Sequence, residues 1–250
     1  MRTSLLIPTL CIVLIGVGMP LAVWGQAEQQ RSTPPQRLLI DDFESYGEDT
    51  LPTQWKYLED RRLVPLEPRH MRPKEQFYIV EEANGNRILQ VYTDGEAVHL
   101  TMANEPEGFD WDLEALPYLQ WDWRALELPP GGNEEVEAKN DTGAGVYVAY
   151  YMSGRLFKRP VVIKYSYSSS LPVGTVVSYG KLKVIVVSSA LDGVGEWQTI
   201  RRNVVEDYKM LFGKEPPRRP MSLRLWGDSD NTKSVARADF DNIMLLAEAP

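Results

Sequence analysis

Seven residues at alternating positions of four predicted strands could bind a polar ligand. Side chains along a β-strand point to opposite faces in turn, so every second residue shares a face. In each of the four strands one face is charged or aromatic, and the other is predicted to form the core. The predicted core side chains include Trp121, Trp123, Tyr165 and Tyr167. The candidate ligand-binding residues on that second face are Asp122, Arg124, Tyr147, Tyr151, Lys164, Arg224 and Trp226.

Aromatic rings beside charged hydrogen-bonding groups are typical of carbohydrate sites. The C–H faces of a sugar stack on aromatic rings, and its hydroxyls pair with Asp, Arg and Lys. The basic residues of the set would favour a sugar acid. If the four strands are neighbours in one sheet, we predict non-catalytic binding of a carbohydrate or a similar polar ligand there. The alternative is an ordinary solvated sheet face with cross-strand ion pairs.

Acidic strings near the two ends of the sequence predict a shared cap or a cation site. Calcium prefers carboxylate oxygens, and Glu44 and Asp241 are the predicted metal-ligating side chains of a structural calcium site. Hydrogen-bonded caps without metal are the alternative, and no cofactor is required. The acidic loop 228–232 lacks the glycine and the closing glutamate of an EF-hand, so a polar turn is favoured there.

Residues with the spacing of a catalytic site are scarce. His70 and His99 are the only histidines, and no spacing links either to a nucleophile or to a zinc triad. Alternation predicts that His99 lies on the non-core side of its strand. Paired carboxylates, or Tyr147 or Tyr151 acting as a base beside a basic residue of the same set, could still act on acidic glycans as a hydrolase or lyase. A structural or envelope-assembly partner is the third hypothesis, and it predicts a large exposed apolar patch.

The first 27 residues are typical of a secretory signal peptide. A charged Arg2 precedes an apolar stretch, and small residues follow where cleavage is expected. Residues 28–36 are polar and predict a flexible lead-in, and residues 37–250 predict a single domain. Cys11, the only cysteine, lies in the predicted signal, so the mature chain would form no disulfide. We therefore expect a periplasmic or secreted protein.

The formal net charge of the chain is −8. A negative balance disfavours nucleic acid and anionic membranes as main partners. The sequence thus predicts no nucleic-acid partner and no membrane contact after signal cleavage, and it does not determine an oligomeric state.

Short runs rich in Val, Ile, Tyr and Trp alternate with turn residues, which is the signature of an all-β sandwich or barrel. The 14 residues 128–141, rich in Pro, Gly and acids, predict a surface loop. Asn203 and Glu206 predict a capping box before a helix that ends at Gly213, packed across one end of the sandwich. The predicted strands are Arg37–Ile40, Phe77–Glu81, Arg87–Thr93, Ala97–Met102, Tyr118–Ala125, Gly145–Met152, Val161–Tyr167, Lys183–Ser188, Trp197–Arg202, Ser222–Trp226 and Ala236–Leu246.

Several motifs in this order resemble an uncharacterised family of exported bacterial proteins, domain of unknown function three-zero-four-seven. They include Trp121-Asp122-Trp123-Arg124, Lys164-Tyr165-Ser166-Tyr167-Ser168 and Asp228-Ser229-Asp230-Asn231-Thr232. The two acidic ends more distantly resemble the galactose-binding-like jelly roll of many carbohydrate-binding modules. The resemblance implies a jelly-roll-type β-sandwich with one short capping helix, and a structural calcium near Glu44 and Asp241.

Overall fold

The computed structural model describes residues 36–105 and 109–248. These residues form fourteen strands and one α-helix, arranged in two sheets. The smaller sheet contains β1 (Arg37–Asp41), β4 (Glu75–Glu81), β5 (Arg87–Asp94), β7 (Tyr118–Glu127), β12 (Gln198–Asn203) and β14 (Val235–Leu246). The larger sheet contains β2 (Lys56–Glu59), β3 (Arg62–Pro65), β6 (Ala97–Ala103), β8 (Thr142–Ser153), β9 (Arg159–Ser168), β10 (Val176–Tyr179), β11 (Leu182–Ser189) and β13 (Ser222–Asp228).

The strand order confirms an all-β sandwich of jelly-roll type. The smaller sheet runs β12-β7-β14-β5-β4, with β1 also paired to β14, and the larger runs β10-β11-β9-β8-β13-β6-β2-β3. Consecutive strands change sheet at β1–β2, at β3–β4, at each step from β5 to β8 and at each step from β11 to β14, as in double-sheet jelly rolls. All eleven predicted strands are present. β2, β3 and β10 were not predicted, because they are short and lack a clear alternation of apolar residues.

The core between the sheets contains the residues that alternation assigned to it. Trp121 and Trp123 of β7 and Tyr165 and Tyr167 of β9 are each 0% exposed. The Trp121 and Tyr165 ring centroids lie 5.5 Å apart, and those of Trp123 and Tyr167 lie 5.6 Å apart. These large side chains bury enough apolar surface to hold the two sheets together without a disulfide.

The predicted helix is α1 (Val204–Phe212), and it packs against one end of the sandwich. Asn203 caps it by accepting hydrogen bonds from the backbone amides of Val205 and Glu206. Gly213 ends it in the left-handed conformation, with φ of 66°. The predicted capping box is wrong in one part. The Glu206 carboxylate accepts a hydrogen bond from Lys209, because an i,i+3 cation competes for it.

The predicted pairing of the first and last strands is confirmed, since β1 lies antiparallel to the second half of β14. At the end of β1 the buried Asp41 carboxylate accepts hydrogen bonds from the Phe43 amide, the Trp55 indole and the Tyr46 hydroxyl, at 2.9, 2.9 and 3.0 Å. Asp41 is therefore a hydrogen-bonded cap at the end of β1.

The predicted signal peptide, residues 1–27, lies outside the described residues, as does the predicted lead-in except for Gln36. Within the described part of the chain, no helix combines the length and the apolar composition needed to cross a membrane.

Candidate ligand-binding face

The structure divides the seven predicted ligand residues between the two sheets. Asp122 and Arg124 lie on β7 of the smaller sheet, whereas Tyr147, Tyr151, Lys164, Arg224 and Trp226 lie on strands of the larger sheet. The expectation of one common face is therefore wrong for Asp122 and Arg124. Alternation assigned each side chain to the outer side of its strand, but it carries no information about which strands become neighbours.

Three of the predicted residues do lie side by side on the outer face of the larger sheet. Arg224 on β13 is paired with Tyr147 on β8, and Tyr147 is paired with Lys164 on β9. The Lys164 Nζ lies 5.8 Å from the centre of the Tyr147 ring. We call this outer surface, from His99 on β6 to Lys164 on β9, the cationic face.

A row of three stacked rings crosses the cationic face. Trp226 lies between two rings, because β6 and β8 flank β13 on opposite sides. Its ring centroid is 4.2 Å from that of His99 and 4.6 Å from that of Tyr147. Both faces of the indole are therefore covered, and the Nε1 of Trp226 is buried without a hydrogen-bond partner among the described residues. The predicted stacking of a sugar on Trp226 does not fit this arrangement, which favours hydrogen bonding instead.

Gly145 makes room for this row of rings. A Cβ atom at Gly145 would lie 2.9 Å from Cε2 of Tyr147 and 3.5 Å from Cβ of Trp226. Such a distance is shorter than normal packing allows, so only glycine lets the Tyr147 ring lie over β8 next to the indole.

Arg224 is a partly buried cation without an anionic partner. Among the described residues, no carboxylate oxygen lies within 4.0 Å of its guanidinium, and its Nε is buried without a hydrogen-bond partner. Burial lowers the pKa of Arg224, because the charged form loses water without gaining a counter-charge. A buried unpaired charge is costly, and an anionic group brought within reach of the guanidinium would offset that cost.

Lys164 is the second cation of this face, and it is only 1% exposed. Its Nζ donates a hydrogen bond to the Asn140 side chain at 3.4 Å, and the described residues place no carboxylate within salt-bridge distance of it. Burial lowers the pKa of Lys164, while Asp228 and Glu134 nearby act in the opposite direction. Two cations thus flank one tyrosine, and the carboxylates of Asp228, Glu134 and Asp141 lie near Lys164 without forming a salt bridge to it.

Buried polar atoms without a hydrogen-bond partner are concentrated on two neighbouring strands of the larger sheet, β6 and β13. Among the described residues, ten buried side-chain polar atoms lack a hydrogen-bond partner, and six of them are on β6 and β13. Each such atom costs free energy in the absence of a partner, so a cluster of them is typical of a site that a ligand or ordered water completes. The six atoms are His99 Nε2, Thr101 Oγ1, Ser222 Oγ, Arg224 Nε, Trp226 Nε1 and Asp228 Oδ1.

His99 and Thr101 belong to this face, although the sequence analysis did not include them. His99 was correctly placed on the non-core side of its strand, but nothing in the sequence showed that β6 lies beside β13. Burial lowers the pKa of His99 to about 4, and the neighbouring Arg224 charge acts in the same direction. His99 is therefore neutral at neutral pH and can donate one hydrogen bond and accept another.

Part of the loop between β7 and β8 packs against the larger sheet. The prediction of a surface loop over residues 128–141 is wrong for Glu134 and Asp141, which are both 0% exposed. Glu134 accepts hydrogen bonds from the hydroxyls of Ser166 and Ser168 on β9. These bonds explain why an acidic residue is buried there, and they fix the loop beside Lys164.

The outer face of the smaller sheet carries similar residue types, but they are paired with each other. Arg124 forms ion pairs with Asp239 at 2.7 Å and with Glu82 at 2.9 Å, and it lies 4.7 Å from the centre of the Trp197 ring. Asp122 accepts hydrogen bonds from Thr199 and from the Asn242 side chain. This face fits the alternative of cross-strand ion pairs.

Tyr151 lies apart from the cationic face. The pairing of β8 with β9 shifts between Ala149 and Tyr151, which displaces Tyr151 from the alternation that includes Tyr147. Its hydroxyl accepts hydrogen bonds from Lys214 at 2.7 Å and from Tyr208 of α1 at 3.3 Å. The Lys214 hydrogen bond lowers the pKa of Tyr151.

Another surface depression, of 620 Å³, lies beside β1 and β12 of the smaller sheet, and its lining includes Arg37, Gln120, Arg201 and Met244. It has no aromatic lining residue, and Arg201 is already hydrogen-bonded to Gln120. It therefore fits a carbohydrate less well than the cationic face does.

The predicted calcium ligands lie near each other, but the described residues bring no third carboxylate into a compact group with them. Glu44 accepts a hydrogen bond from the Arg87 amide, and Asp241 accepts one from the Asn86 side chain. Burial raises the pKa of Asp241 to about 6, and Glu44 adds to the shift. The calcium site stays a prediction.

Carboxylate oxygens of Asp141, Asp228 and Asp230 all lie within 4.8 Å of one another, the arrangement that a hard cation requires. The two Asp141 oxygens already accept hydrogen bonds from the amides of Asn231 and Thr232. The backbone of the loop at 228–232 is thus held by Asp141, which precedes β8.

The two packed sheets, the single capping helix and the polar outer faces define the class of the protein as an all-β sandwich of jelly-roll type. Its sequence matches the family described as "Protein of unknown function (DUF3047)" over residues 65–244. The chain belongs to this family, which confirms the resemblance seen in the sequence. No curated protein matches the chain.

Solved structures similar to the chain include carbohydrate-binding modules. A family 11 module of the cellulosomal cellulase Lic26A-Cel5E of Clostridium thermocellum has 14% identity, with 85% of this chain and 95% of that one covered and a TM-score of 0.40. An exo-beta-agarase has 13% identity, 86% and 25% coverage and a TM-score of 0.43. The mannan-recognising module TmCBM27 has 13% identity, 86% and 100% coverage and a TM-score of 0.34.

Proposed function

We propose that the protein binds an acidic carbohydrate, without catalysis, on the cationic face of the larger sheet. The observation that carries the proposal is the unpaired guanidinium of Arg224, which lies across Tyr147 from Lys164. A carboxylate on the ligand supplies the anion that Arg224 lacks, and charge-assisted hydrogen bonds of this kind are among the strongest in proteins. The proposal takes the protein to be exported, in the periplasm or outside the cell, where such polymers occur.

The unsatisfied atoms around Arg224 suit the hydroxyls of a sugar ring. The Trp226 Nε1–H is a donor, the neutral His99 ring offers a nitrogen, and the Thr101 hydroxyl can donate or accept. A sugar hydroxyl also donates and accepts, so one ring can satisfy several of these atoms at once. A ligand that pairs with these atoms removes the free-energy cost of leaving them unsatisfied, which adds to the affinity. Each group is already fixed by packing in the free protein, so little side-chain freedom is lost on binding.

The hypothesis of catalysis is less well supported by this geometry. Tyr147 would need a lowered pKa to act as a base near neutral pH. Burial instead raises the pKa of Tyr147 well above its ordinary value. Arg124, one of its candidate partners, lies on the other sheet. Tyr151 has a lowered pKa, but it contacts Lys214 and α1 and is not part of the cationic face.

Isothermal titration with an oligogalacturonate and with its methyl ester tests the proposal. The two ligands share their rings and hydroxyls and differ only in the charge of the carboxyl group. We expect the wild-type protein to bind the acid more tightly. We expect Arg224→Gln to weaken binding of the acid at least about tenfold and to change binding of the ester much less.

Arg201→Gln is the matched control, since Arg201 lies on the exposed outer surface of the smaller sheet. It should bind both ligands as the wild type does. Equal binding of acid and ester by the wild type would overturn the proposed charge recognition. Absence of binding to either, across a panel that also includes other uronic-acid oligomers, would overturn the carbohydrate proposal itself.

A further inference from the structure

The loop between β8 and β9 exposes two adjacent large apolar side chains. Leu156 is 91% exposed and Phe157 is 83% exposed, the highest values among the large hydrophobic residues that the structure describes. Single exposed apolar residues are common, but two neighbours at the tip of a hairpin form a continuous apolar surface that water solvates poorly. The proposed binding of a carbohydrate does not use this loop.

The shape of the loop depends on Gly154. Its φ is +129°, and a Cβ atom there would lie 2.2 Å from the backbone oxygen of Phe157. A side chain at this position would collide with the backbone, so glycine is required for the tight path of the loop. Lys181 on the neighbouring turn donates a hydrogen bond to the Ser153 oxygen at its base. The two apolar side chains are therefore presented by a supported turn.

Basic residues surround the apolar pair. Arg155, Lys158 and Arg159 flank it in the sequence, and Arg61 from the turn between β2 and β3 lines the same depression of 590 Å³. None of these four residues has a carboxylate within salt-bridge distance among the described residues. The lining of the depression contains no acidic residue, although the chain as a whole has a net charge of −8.

We propose that Leu156 and Phe157, with these four basic residues, form a docking site for the surface of an anionic lipid bilayer. A bilayer interface offers an apolar phase for the leucine and phenylalanine and anionic headgroups for the basic residues at the same depth. A soluble polyanion would satisfy the charges and leave the apolar pair in water. The sequence prediction of no membrane contact rested on net charge, which does not describe this local surface.

Vesicle flotation tests the docking site with two lipid compositions. One set of vesicles contains phosphatidylcholine alone, and the other contains about one-third phosphatidylglycerol. The full chain is expressed with its own N-terminal segment, and the protein recovered from the soluble extract is used, so that all variants share one N-terminus. We expect the wild type to float with the anionic vesicles only and to be released by high salt.

Two variants separate the parts of the site. Leu156→Ser with Phe157→Ser should weaken binding to anionic vesicles at least about tenfold, and Arg155→Gln with Lys158→Gln should do the same. The control is Leu191→Ser, at a residue that is 64% exposed beside the acidic Asp192, and it should bind as the wild type does. Circular dichroism confirms that each variant is folded.

Three results would overturn the docking site. One is wild-type protein that floats with neither set of vesicles. Another is a Leu156 and Phe157 double variant that floats as well as the wild type. The third is equally tight binding of wild type and double variant to heparin in solution, which would identify the loop as a polyanion site. Because none of these results depends on oligogalacturonate, the outcome is independent of the proposed carbohydrate binding.

Discussion

The outer faces of the two sheets carry similar side chains but differ in how those side chains are satisfied. On the smaller sheet Arg124 has two carboxylate partners and an aromatic ring beside it. On the larger sheet Arg224 has an aromatic neighbour and no carboxylate among the described residues. The residue types alone therefore do not distinguish a binding face from a structural one. The distinction lies in whether the polar groups are satisfied within the protein.

The two arginines should give opposite results when each is replaced by glutamine. Arg124→Gln leaves the fully buried Asp239 without its cation and should lower the free energy of unfolding by about 3 kcal/mol. Arg224→Gln removes a charge that has no partner, so it should leave stability unchanged or raise it. Urea denaturation of the ligand-free proteins measures both. A large loss of stability in Arg224→Gln would mean that its charge is compensated within the fold.

The pH dependence of stability should depend on His99 of the cationic face. The folded protein keeps His99 neutral down to pH about 4, whereas the unfolded chain protonates it near 6.5. The folded state thus binds fewer protons in this window, and the contribution of His99 to stability falls as the pH falls. Between pH 7 and pH 4 this contribution lowers the free energy of unfolding by about 3 kcal/mol, and replacing His99 with Gln removes that loss.

This effect is measured as the difference in unfolding free energy between wild type and His99→Gln across the pH range. Taking the difference cancels the contributions of the other titrating groups. The difference should favour the variant progressively below pH 6.5. A difference that does not change with pH would show that His99 is not desolvated in the ring row.

A smaller effect should follow from filling the space at Gly145. Gly145→Ala places a methyl group against the Tyr147 ring and should tilt the ring away from Trp226, with a loss of stability of about 1 kcal/mol. Thermal melting and near-ultraviolet circular dichroism would detect the change. Gly47→Ala is the control, because its methyl group would meet only the side chain of Thr50 in an exposed turn. A normal aromatic spectrum for Gly145→Ala would contradict the tight ring row.

An effect of similar size is expected from calcium at the smaller sheet. Glu44 and Asp122 both raise the pKa of Asp241, so a divalent cation there would relieve their repulsion. Calcium at about ten times its dissociation constant would stabilise the fold by about 1.4 kcal/mol. The stabilisation should disappear in Glu44→Ala and persist in Glu48→Ala. Equal melting temperatures with and without calcium would leave Asp241 as a hydrogen-bonded residue only.

Local patterns predicted most strands, because alternation and turn residues act over a few positions. The core positions of Trp121, Trp123 and Tyr165 followed directly from the alternation. Sheet membership did not, because the pairing of β6 with β13 and of β7 with β14 joins residues more than one hundred positions apart. Asp122 and Arg124 were therefore combined with the wrong neighbours, and His99 was left out.

Net charge was equally uninformative about local surfaces. A value of −8 for the whole chain says nothing about the basic tip around Phe157, because folding gathers a few cations in one place while the acids lie elsewhere.

Bulge positions were also beyond prediction. The shift near Tyr151 depends on how β8 accommodates β9, and it separated Tyr151 from Tyr147.

The central place of β14 has a consequence for the order of folding. β14 is the last strand in the described chain, yet it pairs with β7 along one side and with β5 and β1 along the other. The smaller sheet therefore cannot close until residues near Leu246 have been synthesised. Chain ends released earlier would leave β5 and β7 with unpaired edges, which are prone to aggregate. Completion of the smaller sheet thus follows synthesis of β14.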